Sequence, residues 1–226
     1  MGNTFEWHKE AEKQWNSRAD FWNENSKNMW DEGSRQTIIP FFQQYVSPGD
    51  KVADIGCGDG YGSFKLHQSG YDVTGVDIAP EMIERAKQQV SADELTFVQG
   101  EMTELDFSDE SFDAVMAINS LEWLETPAKG LAELKRIVRP KGKLCIGVLG
   151  PTAAPRQNSY RRLFGENVIC NTMMPWEFEL MAEEMGLNLI GGEGVYKRGI
   201  SEKRLKGLPK ELRQAMTFMW IFMLEK

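Results

Sequence analysis

The stretch "VADIGCGDGYG", residues 52–62, decides the fold. An apolar run that holds a single acid, Asp54, breaks into four glycines at positions 56, 58, 60 and 62. Glycines at this density either turn the chain sharply or bring its backbone against something else. The loop follows a short strand and opens a helix. In doubly wound folds that junction, at the carboxyl end of a strand, is where a ligand binds. Two acids in the stretch, Asp54 and Asp59, limit what that ligand can be.

Outward from the loop the pattern alternates. Residues 51–55 read as a strand, followed by a helix to about residue 69, a strand over 71–76 and a helix over 80–90 with proline in its first turn. Further strands are expected over 95–98 and 112–118. A helix over 126–138 carries Leu131, Leu134 and Val138 on one face, and Pro140-Lys141-Gly142 turns the chain into a strand over 143–149. This rhythm implies right-handed βαβ units and a parallel sheet. Residues 150–174 hold prolines, Tyr160 and three arginines without a clear period; an irregular insert of this length is commonly functional. A helix over 176–185 and strands near 187–190 and 216–224 are expected to finish the sheet as an antiparallel pair. Before the loop, residues 5–46 read as helical. Trp15, Ala19 and Trp22 are spaced for one face, and Ile38, Ile39, Phe42 and Val46 for a second. The fold class is α/β: a doubly wound, mainly parallel seven-stranded sheet with helices on both faces.

Composition narrows the function. The 226 residues are 41% hydrophobic and 11% aromatic, as in an ordinary globular protein. Their length suits one domain. No apolar stretch approaches the roughly 20 residues of a spanning helix, and the polar start, MGNTFEWHKEAEK, has no apolar secretory core. Three cysteines without CxxC spacing fit a reduced, cytoplasmic protein, and with only two histidines no zinc or iron constellation is expected. A formal net charge of −8 opposes generic phosphate-backbone binding, and the basic cluster Lys203, Arg204, Lys206 and Lys210 reads as a solvated helix face.

Three ligands are worth comparing at the glycine loop. A nucleotide P-loop requires a Lys-Ser or Lys-Thr pair that does not follow here. The dinucleotide fingerprint begins with Gly56 and Gly58 but meets Tyr61 at its third glycine, and Asp54 and Asp59 would face a pyrophosphate. Acids there suit a ligand that carries positive charge. S-adenosylmethionine does, with an ammonium and a sulfonium, and the sequence resembles the class I S-adenosylmethionine-dependent methyltransferases of the small-molecule type. "VADIGCGDGYG" stands where that family has an acid before G-x-G-x-G, and Asp77 in "VTGVDIAPEMIERAK" stands at its ribose-binding acid. "VQGEMTELDFSDESFDAVMAI" and "NSLEWLETPAKGLAELKRIVRPKGKLCI" resemble its third- and fourth-strand motifs.

The resemblance implies a cofactor site of Asp54, Gly56, Cys57, Gly58, Asp77, Ile78, Met82, Glu101, Met102 and Asn119, with Trp30 and Arg35 from the segment ahead of the first strand. Glu101 would accept from the adenine amino group, and Ile78 and Met82 would sandwich the ring; Arg35, by its position, is a candidate to pair with the cofactor carboxylate or, equally, with a surface acid. The chain is expected to form one domain divided into an N-terminal helical lid (1–46), a cofactor-binding core (47–149), an acceptor-side insert (150–174) and a C-terminal completion of the sheet (175–226). Glu122, expected beyond strand four near the methyl group, is the candidate base. His8 is a lesser one, and Trp30 and Trp123 are candidate aromatic faces for the sulfonium. Arg156, Tyr160, Arg161 and Arg162 are candidates to bind an anionic acceptor. The acceptor is expected to be a small molecule, anionic or aromatic. Methylation of RNA or protein, a non-catalytic cofactor-binding domain and a nucleotide-dependent oxidoreductase stand as alternatives.

Overall fold

The computed structural model describes residues 5–89 and 95–226. Its centre is a seven-stranded sheet in the order β3-β2-β1-β4-β5-β7-β6. The strands are β1 (Lys51–Ile55), β2 (Asp72–Asp77), β3 (Leu95–Gln99), β4 (Phe112–Ile118), β5 (Val138–Leu149), β6 (Asn188–Tyr196) and β7 (Thr217–Glu225). The first five run parallel, and β7 lies antiparallel between β5 and β6. The expected antiparallel completion is therefore present.

The central strands are buried on both faces, which explains their continuous apolar runs. Successive side chains point to opposite sides. Ala53, Ile55, Val115 and Ala117 pack with Leu131 and Leu134 of α6 (Pro127–Ile137) and Phe178 of α7 (Pro175–Glu184). Val52, Ala114 and Met116 pack on the other face. Their partners there are Phe42 of α3 (Ile38–Phe42), Leu66 of α4 (Tyr61–Gln68) and Ile83 of α5 (Pro80–Gln89). The strand order reverses between β1 and β4, so the loop after β1 opens at the switch point, where neighbouring crossovers diverge.

Several boundaries differ from expectation. Strand β5 begins at Val138, not residue 143: Val138 pairs with Phe112 and Lys143 with Ala114, so Pro140-Lys141-Gly142 is a bulge inside the ladder. Lys141 takes a φ of 62° there. The chain between residues 5 and 46 breaks into α1 (Trp7–Asn16), α2 (Ala19–Asp31) and α3. Trp15 and Trp22 therefore sit on different helices, although both pack against the small cluster of Ala19, Ala79 and Met82. The irregular insert contains a 3-10 helix, Ala154–Phe164, whose threefold repeat gives no 3.6-residue signal. Two short helices, α8 (Glu202–Leu205) and α9 (Lys210–Ala215), occupy the basic segment. The expected end of α5 at residue 90 lies outside the described residues. Among the described residues no helix is long and apolar enough to cross a membrane.

Leu134 is fully buried between α6 and the sheet. Leu134→Ala should lower the unfolding free energy by about 2–5 kcal/mol in a urea titration, and a loss below 1 kcal/mol would show that this face is not close-packed.

Candidate active site

The four glycines divide between packing and opening. A Cβ on Gly56 would lie 2.6 Å from the Ser120 Cβ, one on Gly60 2.7 Å from Ala86 and Phe97, and one on Gly62 2.4 Å from the Trp30 ring. These three let the loop sit against the turn after β4, against α5 and β3, and against α2. Gly58 differs. It has a φ of 58°, and a Cβ there would meet nothing within 4 Å, so this glycine faces open space in the cleft. Above it, the Gly56 and Cys57 amides both donate to the Val76 carbonyl, at 2.7 and 3.0 Å, which ties the loop to the end of β2.

Three buried carboxylates form the floor: Asp54, Asp59 and Asp77. Asp54 accepts from the Ser63 hydroxyl at 2.6 Å. Burial pushes its pKa up to about 7; Asp77 adds to the rise, while Ser63 and the Arg35 guanidinium oppose it. Asp59 accepts from the Ser26 hydroxyl, which fastens α2 to the loop. Asp77 accepts one backbone N–H on each oxygen, from Ala79 and from Gly58, both at 2.9 Å. Burial raises its pKa as well. The Arg35 guanidinium carbon lies 4.6 Å from the Trp22 ring centre and 5.7 Å from that of Trp30. Burial lowers its pKa to about 10, against the pull of Asp59 and Asp54. Among the described residues lining the cleft, Arg35 is the one arginine or lysine beside Asp54, Asp59, Asp77 and Glu101. Such a floor favours a positively charged ligand.

The walls come from the other strand ends and from the N-terminal helices. Ile78 and Met82 follow β2; Glu101 and Met102 follow β3. Glu101 accepts from the Thr103 amide at 3.0 Å and hydroxyl at 2.5 Å, and its Oε1 lies 3.4 Å from His8 Nδ1. Asn119, just past β4, has a φ of 53°, a conformation asparagine tolerates better than most residues. Its side-chain Oδ1 is buried without a protein partner. Trp7, His8, Ala11, Trp15 and Trp22 of α1 and α2 complete the wall with Trp123. The Trp7 indole donates to the Trp123 carbonyl at 2.7 Å, and Trp15 meets Trp123 edge-on at 5.2 Å.

The structure thus brings together Trp30, Arg35, Asp54, Gly56, Cys57, Gly58, Asp77, Ile78, Met82, Glu101, Met102 and Asn119, all of which line one cleft with an empty volume of about 1020 Å³, its mouth included. Glu122 does not join them. Its side chain is fully buried and turned toward β5, where Oε1 accepts from the Leu149 amide at 2.5 Å; it is part of the frame and not a base facing the cleft. Arg156 is corrected likewise. It is buried and donates to the carbonyls of Leu149, Gly150 and Met173, closing the start of the insert. Arg161 pairs with Glu166, and Tyr160 is half exposed; neither lines the cleft. Trp7 and Ala11 were not legible as wall residues, because only the fold of α1 over the strand ends places them there.

The site fits S-adenosylmethionine on its own chemistry. Gly58 leaves open space, Asp77 keeps free lone pairs on both oxygens, Asn119 Oδ1 lacks a partner, and the floor is acidic. Comparison with known proteins agrees. Residues 53–146 match the family model of a methyltransferase domain. The biotin biosynthesis bifunctional protein BioHC of Teredinibacter turnerae is 30% identical over 156 residues, 64% of this chain and 27% of that protein. The demethylmenaquinone methyltransferase of Renibacterium salmoninarum is 34% identical over 114 residues, 50% of this chain and 47% of that one. The chain therefore spans about a quarter to a half of the length of these curated relatives. An S-adenosylmethionine-dependent methyltransferase structure from Mesorhizobium loti shares the fold at 14% identity and a TM-score of 0.67, covering 87% of this chain and 99% of its own. With its motifs in order along a sheet of this topology, the chain matches a methyltransferase domain over residues 53–146 and shares the fold of such enzymes.

Proposed function

We propose that this protein is a cytoplasmic enzyme that transfers the methyl group of S-adenosylmethionine to a small-molecule acceptor. The observation that carries this reading is the buried acidic floor beneath an open glycine, with Asp77 presenting two carboxylate oxygens that each retain accepting capacity. Asp77 would hold the ribose hydroxyls. Ile78, Met82 and Met102 offer an apolar slot for adenine, with Glu101 at its edge for the amino group. Asp54 would draw the ammonium of the methionyl end, and Arg35 its carboxylate. Trp15, Trp22 and Trp123 present aromatic surface that attracts a sulfonium. Bound S-adenosylmethionine supplies an already activated methyl group. The residues of this chain then orient the partners and exclude water, and such alignment is worth roughly 7–11 kcal/mol. Three free cysteines, Cys57, Cys145 and Cys170, suit the reducing cytoplasm. Helices α1 and α2, wrapped over the strand ends, are suited to act as a lid.

Calorimetric titration with S-adenosylhomocysteine tests the reading. Wild type should bind and Asp77→Ala should lose about 1.5–3 kcal/mol, whereas NAD should give no saturable heat. Absence of S-adenosylhomocysteine binding by folded protein would end this proposal.

A pH dependence follows from Asp54. Its folded pKa of about 7 lies above the ordinary 3.8, so between these values the folded protein holds a proton that the unfolded chain has released. The associated stability is complete below 3.8 and is lost as pH rises toward 7. A positively charged ligand favours the ionised form. S-adenosylmethionine affinity should therefore fall below pH 7, by up to about tenfold per unit, and the fall should vanish in Asp54→Asn. An equal slope in that variant would remove Asp54 from the cofactor site.

A further inference from the structure

Next to the cofactor cleft lies a second hollow, with an empty volume of about 850 Å³, its mouth included. It shares Trp15, Trp22, Arg35, Asn119 and Trp123 with the first, so a molecule in it would lie against whatever the cleft holds. Its own walls are Phe21, Leu149, Pro155 and Phe218, with Arg18 and Asn158 as the added polar groups. These residues come from the α1–α2 junction, the ends of β4 and β5, the 3-10 helix and the start of β7.

The chemistry of this lining is one-sided. Among the described residues that form it there is no aspartate, glutamate or histidine, while two guanidinium groups face it. In a protein of net charge −8, such a local balance selects for charge sign. The two arginines are not equivalent. Arg35 is already drawn by Asp54 and Asp59. Arg18 stands at the break between α1 and α2, its guanidinium carbon 5.2 Å from the Trp15 ring centre, without an ion pair or side-chain hydrogen bond to a described residue. Arg18 is half-buried, and that burial lowers its pKa from the ordinary value. Flat aromatic surfaces dominate the remainder, and these select a flat apolar body.

We infer that this hollow is the acceptor subsite, that it takes a flat, largely apolar molecule bearing one anionic group, and that Arg18 holds that group. The inference rests on the methyltransferase reading for what occupies the neighbouring cleft. The guanidinium fork suits a carboxylate in two-point contact, and the aromatic wall holds the ring beside Asn119.

Calorimetry with a matched pair of probes, 2-naphthoate and 2-naphthamide, tests it, each titrated into protein saturated with S-adenosylhomocysteine. Wild type should bind the carboxylate at least about tenfold more tightly than the amide. Arg18→Gln should remove that preference, and Arg18→Lys, which keeps the charge, should retain part of it. S-adenosylhomocysteine affinity should be the same in all three proteins, because Arg18 does not line the cofactor cleft; this also shows that each variant is folded. Equal binding of the two probes to wild type, binding of neither, or an undiminished preference in Arg18→Gln would each overturn the assignment while leaving the cofactor reading intact. Failure of folded wild type to bind S-adenosylhomocysteine would instead remove the reading on which it rests.

Discussion

Burial of three carboxylates under one loop is the constraint on which the site depends. Asp54, Asp59 and Asp77 are each 9% exposed or less, and a buried charge is costly unless something answers it. Backbone amides answer Asp77, hydroxyls of Ser63 and Ser26 answer Asp54 and Asp59, and Arg35 supplies the nearby positive charge. The glycines make this arrangement possible, because side chains at three of the four positions would collide with Ser120 just past β4, with α5 and β3, or with α2. What remains is a poised negative floor that a cationic ligand completes.

The same contacts decide how the N-terminal helices sit. Ser26 reaches Asp59, Trp30 covers Gly62, and Asp31 meets Tyr61 at 2.8 Å and Lys65 at 3.0 Å, so α2 is fixed along the helix that the loop opens. At the other end Trp7 is anchored on Trp123. Helices polar enough to sit on a surface thus present tryptophans inward to a cleft. On the far side Glu122 and Arg156 do related work: one accepts from the Leu149 amide, the other donates to the Leu149 carbonyl, and together they pin the end of β5 where the insert departs.

Much of this was legible in the chain. Strands β1 to β4 are apolar runs bounded by glycine or turn residues, and their expected limits lie within a residue of those observed. The residues expected to hold the cofactor gather in one cleft because they lie at the ends of adjacent parallel strands, a placement that strand order alone determines. Other features were hidden because distant contacts override local signals. The proline and glycine before residue 143 read as a turn, yet the ladder continues past them as a bulge. The strand expected near 187–190 runs on through Gly191, Gly192 and Gly194 within β6, where a Cβ on Gly191 would fall 2.2 Å from the Tyr45 hydroxyl. Glu122 was expected at the right strand end; the direction of its side chain depends on a partner, Leu149, that lies 27 positions along the chain.

A crystal structure of the protein with S-adenosylhomocysteine bound would test the central claim most directly. The acidic floor and the open glycine predict ribose hydroxyls on Asp77, adenine between Ile78 and Met82 with its amino group at Glu101, and the amino-acid end beside Asp54 and Arg35. A ligand bound outside this cleft, or bound in reverse with adenine at Arg35, would contradict it.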